Sequence, residues 1–269
     1  KGGHHRPSSV KQGVSLEQDA ARRDFTVNAL YLNAHTGAMI DPFGGLSDHQ
    51  NRCIRTVRAP RETMRDDALR ILRLIRLACE LGFGIERETY TVAAQNMDLL
   101  GDIVPERKAA ELTRILLSDI KYMPPQKADG FECLRGLLLL TQMGALPYLL
   151  PELEQGRGFI RKNKYHAYDV LHHNLYACRH TPPVLHLRLA ALLHDVGKPG
   201  AYLRDGNFYD HAAFSAELAQ RMLGRQGLRY ANDLVGRVVG LIEDHMFDLE
   251  GTAKRNTARL RFARMGPEA

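Results

Sequence analysis

The sequence predicts a mainly α-helical chain with a short β segment near its N-terminus. Two patterns carry this. From about Pro60 onward, apolar residues recur at helical spacing, as in "DDALRILRLIRLACELGF". Before that, "FTVNALYLNAHTGAMIDPF" has two β-rich halves about His35-Thr36-Gly37, a hairpin signal. With 269 residues, 44% hydrophobic and 25% charged, the chain is globular, with room for one to three domains.

In chain order, residues 1–23 are polar and read as a loop entering something ordered, and the hairpin follows. The run from Asp66 then places Leu69, Leu72, Ile75 and Leu77 on a broad apolar face, with arginines at 70, 73 and 76. "PERKAAELTRILLS" opens with Pro105 at a helix N-terminus. "FECLRGLLLLTQMGALPYLLPEL" reads as two short buried helices broken at Gly144 and Pro147, and Gly156 to Lys164 as a basic linker. Four or five further helices carry most of the histidines. One of them, in "LRLAALLHDVGKPG", runs apolar to Leu193 and meets Gly197 and Pro199 as stop signals. The tail "AKRNTARLRFARMGPEA" is basic and helical, and looks truncated.

Net charge is +6 with a pI near 9.2, which favours a polyanion such as RNA or DNA only weakly over an ordinary soluble surface. No apolar run approaches the roughly 18 residues of a membrane span, so no membrane partner is expected. Cys53, Cys79, Cys133 and Cys178 are far apart, no CxxC occurs, and core thiols in a reducing cytoplasm are expected. The chain begins at Lys1 with neither Met nor a signal-like segment, and reads as a piece of a longer protein.

Two residue clusters carry chemistry. In the first, Arg22 and Arg23 are guanidinium forks that match phosphate oxygens; a solvated loop charge pair is the plainer reading. Gly44-Gly45 permits a tight turn or close backbone approach to a ligand, with Asp41, Asp48 and Arg52 flanking it. Asp67 and Arg70 fall at i and i+3, on one face of a helix. An aspartate accepts from an exocyclic amine and an arginine donates to ring acceptors, so the pair can mimic a base-pairing edge. Cytosine and adenine offer an amine there and guanine an oxygen. A surface i,i+3 ion pair is the commoner reading. In the second cluster, His172-His173, His194-Asp195, His211 and His245 lie on helix faces or ends. Neutral imidazole plus carboxylate is the usual ligand set for a hydrolytic Mn, Ni, Fe, Zn or Mg site.

In order and spacing, Arg22-Arg23-Asp24, then Asp41, Gly44-Gly45, Asp48 and Arg52, then Asp66-Asp67-Ala68-Leu69-Arg70 resemble the bacterial tRNA nucleotidyltransferase and poly(A) polymerase family. "VPERKAAELTRILLS" is similar to its next motif. Members add CCA, or parts of it, to tRNA 3′ ends, or A tails to RNA. The resemblance implies the end of a nucleotidyltransferase head at 1–58 and a helical neck and body at 59–157. It implies a nucleotide site of Arg22, Arg23, Asp24, Asn28, Asp67, Arg70 and Arg73 for CTP and ATP, supported by Asp41, Asp48, Arg52, Arg107 and Glu111. The partner implied is the 3′ end of tRNA or another RNA. The family usually has Glu where Asp66 stands. Its head also holds Mg²⁺ on two carboxylates one residue apart, several dozen residues before the Arg-Arg-Asp motif. No Asp-x-Asp occurs here, and Gly2-Gly3 with Glu17-Gln18-Asp19 substitutes poorly. Those carboxylates are expected upstream of Lys1, and this chain alone is expected not to transfer nucleotides.

"LLHDVGKP" and the surrounding histidines resemble the HD phosphohydrolase superfamily, implying an all-α domain at 158–269. By that resemblance His173, or His172, binds a first divalent metal with His194 and Asp195, and His211 and His245 fit the extra positions of a two-metal subtype. Asp248 is a poorly placed candidate for the last ligand, which otherwise lies past Ala269. A vestigial metal site is the alternative. For the whole chain, the alternatives to tRNA nucleotidyl transfer are poly(A) addition, phosphohydrolysis of 2′,3′-cyclic phosphates or phosphomonoesters, and a silent RNA-binding body.

Overall fold

The computed structural model describes residues 13–124, 127–160 and 168–247. Gly2-Gly3, Asp248 and the basic tail lie outside them.

Helix α1 (Leu16–Ala20) starts on a capping box, in which Ser15 Oγ and the Gln18 side chain each accept the other residue's backbone N–H at 3.2 Å. The hairpin forms, with β1 (Tyr31–Leu32) antiparallel to β2 (Met39–Ile40) and Tyr31 opposite Ile40. Its strands are short because Thr26–Asn28 turns as a 3₁₀ segment and Phe25 pairs instead with Thr56. Gly44 takes φ +75° and starts α2 (Gly45–Gln50). A Cβ at Gly45 would stand 2.2 Å from the Thr26 carbonyl oxygen. The Gly-Gly pair therefore makes a turn at Gly44 and packs closely on its own chain at Gly45. Strand β3 (Cys53–Ile54) follows.

The long apolar run beginning at Asp66 is not one helix. Helix α3 (Pro60–Asp66) ends and α4 (Leu69–Leu81) begins across Asp67, which is extended at φ −150°, ψ 104°. The Asp67 carboxylate accepts the Leu69 N–H at 3.1 Å, the local competition that lets aspartate interrupt a helix. The expectation that Asp67 and Arg70 share a helical face is thus corrected. The apolar face of α4 is real: Ile71, Leu72, Leu74, Ile75 and Ala78 are fully buried.

After α4, β4 (Gly84–Ile85) pairs parallel with β3, and α5 (Arg87–Ala94), α6 (Pro105–Leu116) and α7 (Phe131–Gln142) follow. The chain breaks at Gly144, with φ +79°. Pro147, however, sits in the first turn of α8 (Leu146–Leu149), as Pro151 does in α9 (Pro151–Glu154); proline begins these helices, needing no N–H there. Helices α10 (Val170–Arg179), α11 (Leu185–Leu193), α12 (Lys198–Asp205), α13 (His211–Leu223) and α14 (Asn232–Asp244) complete the described chain. Helix α11 ends at Leu193, ahead of the expected Gly197–Pro199 stop, and Pro199 lies in the first turn of α12.

One apolar core runs through the chain from Phe25 to Ile242. Polar ties fix the later helices on α6. The Arg188 guanidinium of α11, only 1% exposed, donates to both Asp119 carboxylate oxygens at 2.5 and 2.6 Å and to the Leu116 carbonyl. The Tyr230 hydroxyl donates to the Ala109 carbonyl at 3.0 Å and lies 3.0 Å from Thr113 Oγ1, and burial pushes its pKa up to about 12.

Removing Arg188 strands a buried carboxylate. Arg188→Met is expected to cost about 3–5 kcal/mol in denaturant unfolding, and Arg188→Met with Asp119→Leu to recover a good part of it. Equal losses in the single and double variants would show that the pair does not hold α11.

Candidate nucleotide cleft and metal centre

An open cleft of about 580 Å³ runs along α4. Arg22, Arg23, Asp24, Asn28, Asp67, Arg70 and Arg73, the residues singled out in the sequence, all line it. So do Arg76, Leu77, Glu80, Arg114, Lys121 and Tyr122, which sequence reasoning left out. Seven cationic side chains face three carboxylates, so the cleft draws anions.

Its parts are held individually. Asp24 is buried; its Oδ1 accepts the Phe25 N–H at 2.9 Å and the Asn28 amide at 3.1 Å, and its Oδ2 pairs with Arg73 at 2.7 Å. Arg23 donates to the Asn28 carbonyl at 2.8 Å and pairs with Asp19 at 3.3 Å. Arg70 donates to the Arg22 carbonyl at 2.8 Å and the Thr63 carbonyl at 3.2 Å, which bridges the two motifs. Asp67 accepts from Arg107 at 3.1 Å. Asp67 and Arg70 thus meet at one site by different means, a capping residue and a helix residue.

Below them lies a charge network. Arg76 donates to Glu111 at 2.6 Å and Glu80 at 2.8 Å, and Arg114 donates to Glu80 at 3.0 and 3.1 Å. Burial raises the Glu111 pKa against the pull of Arg76. The Arg76–Glu80 spacing is visible in the sequence as an i,i+4 pair; Glu111, on another helix, is not.

The remaining flanking residues lie outside the cleft. Asp41 accepts the Gly45 and Leu46 N–H groups at 2.8 and 3.0 Å and so caps α2. Asp48 is buried, accepting from Thr26 Oγ1 at 2.6 Å and pairing with Arg55. Arg52 is exposed at φ 51°, and its carbonyl accepts the Gly84 N–H at 2.7 Å.

Farther along the chain, four imidazoles surround Asp195. His173 Nε2 and His194 Nε2 are each 3.3 Å from Asp195 Oδ2, and His211 Nε2 and His245 Nε2 are 3.3 and 3.8 Å from Oδ1. Two three-residue groups with metal-ligand spacing result, sharing Asp195: His173, His194 and Asp195, and Asp195, His211 and His245. The alternative His172 turns away, its Nδ1 2.7 Å from Asp169, the residue that caps α10. Close packing presses the loop after Asp195 onto α13, since a Cβ on Gly197 would lie 2.6 Å from the Ser215 nitrogen.

The donor set fits a cation on grounds internal to the cluster. The Nδ1 atoms of His194, His211 and His245 lie 2.8, 2.6 and 2.7 Å from the carbonyls of Ala191, Phe208 and Ile242. A carbonyl only accepts, so each Nδ1 carries the proton, and each neutral ring presents a lone pair at Nε2. The Nε2 atoms of His211 and His245 nevertheless face each other at 3.2 Å. Two lone pairs at that distance, beside a carboxylate oxygen buried without a hydrogen bond, call for a positive charge between them. Burial lowers the His245 pKa, disfavouring a proton as that charge. Burial also opposes charge on Asp195, but its surroundings, the Lys198 ammonium among them, hold the carboxyl well below the usual range. Lys198 Nζ is 2.5 Å from Asp195 Oδ2 and borders a small cavity of about 40 Å³ beside His173.

A cationic cleft and a His-Asp cluster with metal-ligand spacing thus lie on one mainly helical chain. Known proteins resemble it over most of its length. Residues 1–55 match the Poly A polymerase head domain and residues 164–268 the HD domain. The chain is 36% identical over 250 residues to an A-adding tRNA nucleotidyltransferase of Deinococcus radiodurans, covering 87% of this chain and 54% of that one. It is 36% identical over 246 residues to a CC-adding tRNA nucleotidyltransferase of Thermus thermophilus, covering 86% and 52%. Among solved structures, the Bacillus stearothermophilus CCA-adding enzyme in complex with CTP is 25% identical with a TM-score of 0.52, covering 93% of this chain and 60% of that one. The chain belongs to the tRNA nucleotidyltransferase and poly(A) polymerase family, with an attached HD domain, and spans about half the length of these curated relatives. Both domain types generally use divalent metals.

Manganese at 100 times its dissociation constant is expected to add about 2.7 kcal/mol to the stability of the chain. His194→Ala with Asp195→Ala should abolish that gain in thermal melts. Because neutral imidazole is the ligand, affinity should fall as pH drops and the rings take up protons, and burial, which lowers the His245 pKa, delays that loss at its ring. Equal stabilisation of wild type and variant would contradict the cluster's role.

Proposed function

We propose that this chain is the nucleotide-selecting and RNA-holding part of a template-independent RNA nucleotidyltransferase that builds CCA, or its A or CC part, on tRNA 3′ ends from CTP and ATP. The observation that carries it is the meeting of Asp67, Arg70, Arg22 and Arg23 in one cationic cleft. Arg22 and Arg23 receive the triphosphate. Asp67 accepts the exocyclic amine of cytosine or adenine while Arg70 donates to the neighbouring ring acceptor, and guanine puts an oxygen against the carboxylate. Arg107 donates to Asp67 at 3.1 Å and so aims its carboxylate. Arg73 and Asn28 hold Asp24, and Asp24 holds the backbone turn under Arg23. The names of the relatives favour tRNA over poly(A) addition. The transfer step is assigned to no residue here, since no Asp-x-Asp occurs among the 269 residues. Free cysteines and the absence, among described residues, of a helix able to cross a membrane suit a cytoplasmic site of action.

A second reading concerns the HD domain, and the Asp195 cluster favours it. His173, His194 and Asp195 would hold one divalent ion, and Asp195, His211 and His245 a second. Such an ion lowers the pKa of bound water and polarises a phosphoester. Lys198 offers an ammonium beside Asp195 for a phosphate oxygen. The class of substrate is a 2′,3′-cyclic phosphate or phosphomonoester.

Two substitutions separate the sites. Asp67→Ala should reduce the preference for CTP and ATP over GTP, read by equilibrium binding, by roughly 5- to 150-fold, the worth of a bidentate base contact, and leave phosphodiesterase activity intact. His194→Ala with Asp195→Ala should do the reverse. Loss of the same activity in both variants would refute the two-site picture. This chain alone is expected to incorporate no radiolabelled CTP or ATP into truncated tRNA, and incorporation would overturn the assignment of transfer elsewhere.

A further inference from the structure

The far end of the cleft is chemically unlike the end at Arg22. Arg70, Arg73, Arg76 and Glu80 follow one another along α4, and from Arg70 to Glu80 the helix rises about 15 Å. Arg114 of α6 pairs with Glu80, and the chain runs on from there through the end of α6 at Leu116, which puts Lys121 and Tyr122, also on the cleft wall, toward the Glu80 end. Tyr122 is 70% exposed, yet its ring borders the cleft, the single aromatic among the described lining residues. Lys121 Nζ stands 5.8 Å from that ring's centroid. A cation over a phenol ring, open to solvent at the end of a basic groove, is the composition of a stacking platform for an unpaired base with its phosphate.

One nucleotide cannot use both ends. A base read by Asp67 and Arg70 lies about 15 Å from the level of Glu80, while stacked nucleotides advance about 3.4 Å each. The distance suits a short single strand lying along α4. We propose that Tyr122, with Lys121 over its ring, stacks an unpaired base of a single-stranded RNA 3′ end that threads the cleft, and that it takes no part in holding the incoming nucleotide. This rests on the cleft reading above.

The test measures binding by the 269-residue chain to three probes: a fluorescein-labelled RNA hairpin with a four-nucleotide 3′ tail, the same hairpin with a blunt end, and CTP. Tyr122→Ala is expected to weaken the tailed RNA five- to tenfold, leaving the blunt hairpin and CTP within twofold. Tyr122→Phe should bind as wild type. An abasic residue moved through the tail should cost affinity at one position in wild type and nothing further at that position in Tyr122→Ala. Unchanged affinity of Tyr122→Ala for the tailed RNA overturns the proposal and leaves the cleft reading standing. Equal loss on blunt and tailed RNA, or a parallel loss of CTP binding, overturns it too. Failure of the wild-type chain to bind either CTP or RNA brings down both the proposal and the cleft reading.

Discussion

A charge buried away from water must find its counter-charge, and that requirement sets how the helices of this chain meet. Arg76 is buried on α4, and Glu111 of α6 and Glu80 of its own helix are its partners. Arg188 is buried on α11, and its partner is Asp119, just past the end of α6. Helix α6 is therefore tied through ion pairs to the helix that floors the cleft and to the helix that ends on His194-Asp195. Arg107, near the start of α6, reaches Asp67 as well. The apolar core packs these helices together, and the paired charges tie them at defined points along their lengths.

Both candidate sites then arise where regular structure is interrupted. Asp67 lies in the break between α3 and α4, and His194-Asp195 in the break between α11 and α12. A side chain at a helix end escapes the helix's own packing and can be aimed by neighbours, Arg107 in one case and the Ala191 carbonyl in the other. The Asp195 cluster goes further, because backbone carbonyls set the tautomers of three imidazoles so that their lone pairs converge. That convergence is unfavourable without a cation, and the local fold sustains it.

The mainly α architecture was legible in the sequence, since helical periodicity over many residues is a strong signal. The break at Asp67 was not, because the apolar pattern runs on past it while the carboxylate captures a backbone N–H locally. Proline misled twice in the same way: Pro147 and Pro199 begin helices that a stop reading denied them. The Arg-Arg-Asp and Asp-x-x-Arg residues could be picked out by type and order, and the resemblance marked Glu111 as supporting, but the pairings of Glu111 with Arg76 and of Arg188 with Asp119 join separate elements and carry no local signal. His172 and His173 could not be told apart by type; helical phase and the cap at Asp169 separate them. Lys121 and Tyr122 carry no local signal, as their place at the cleft follows only from how α4 and α6 cross.

The central claim is that this chain holds two chemically separate sites, a nucleotide cleft on α4 and a metal centre about Asp195. Amide hydrogen exchange with each ligand added alone tests it most directly. CTP is expected to slow exchange in residues 22–28 and 63–73 and to leave 193–215 unchanged. Manganese is expected to slow exchange around His173, His194 and His211 and to leave the cleft unchanged. Protection by CTP at the histidine cluster, with none between Arg22 and Arg73, would contradict the account.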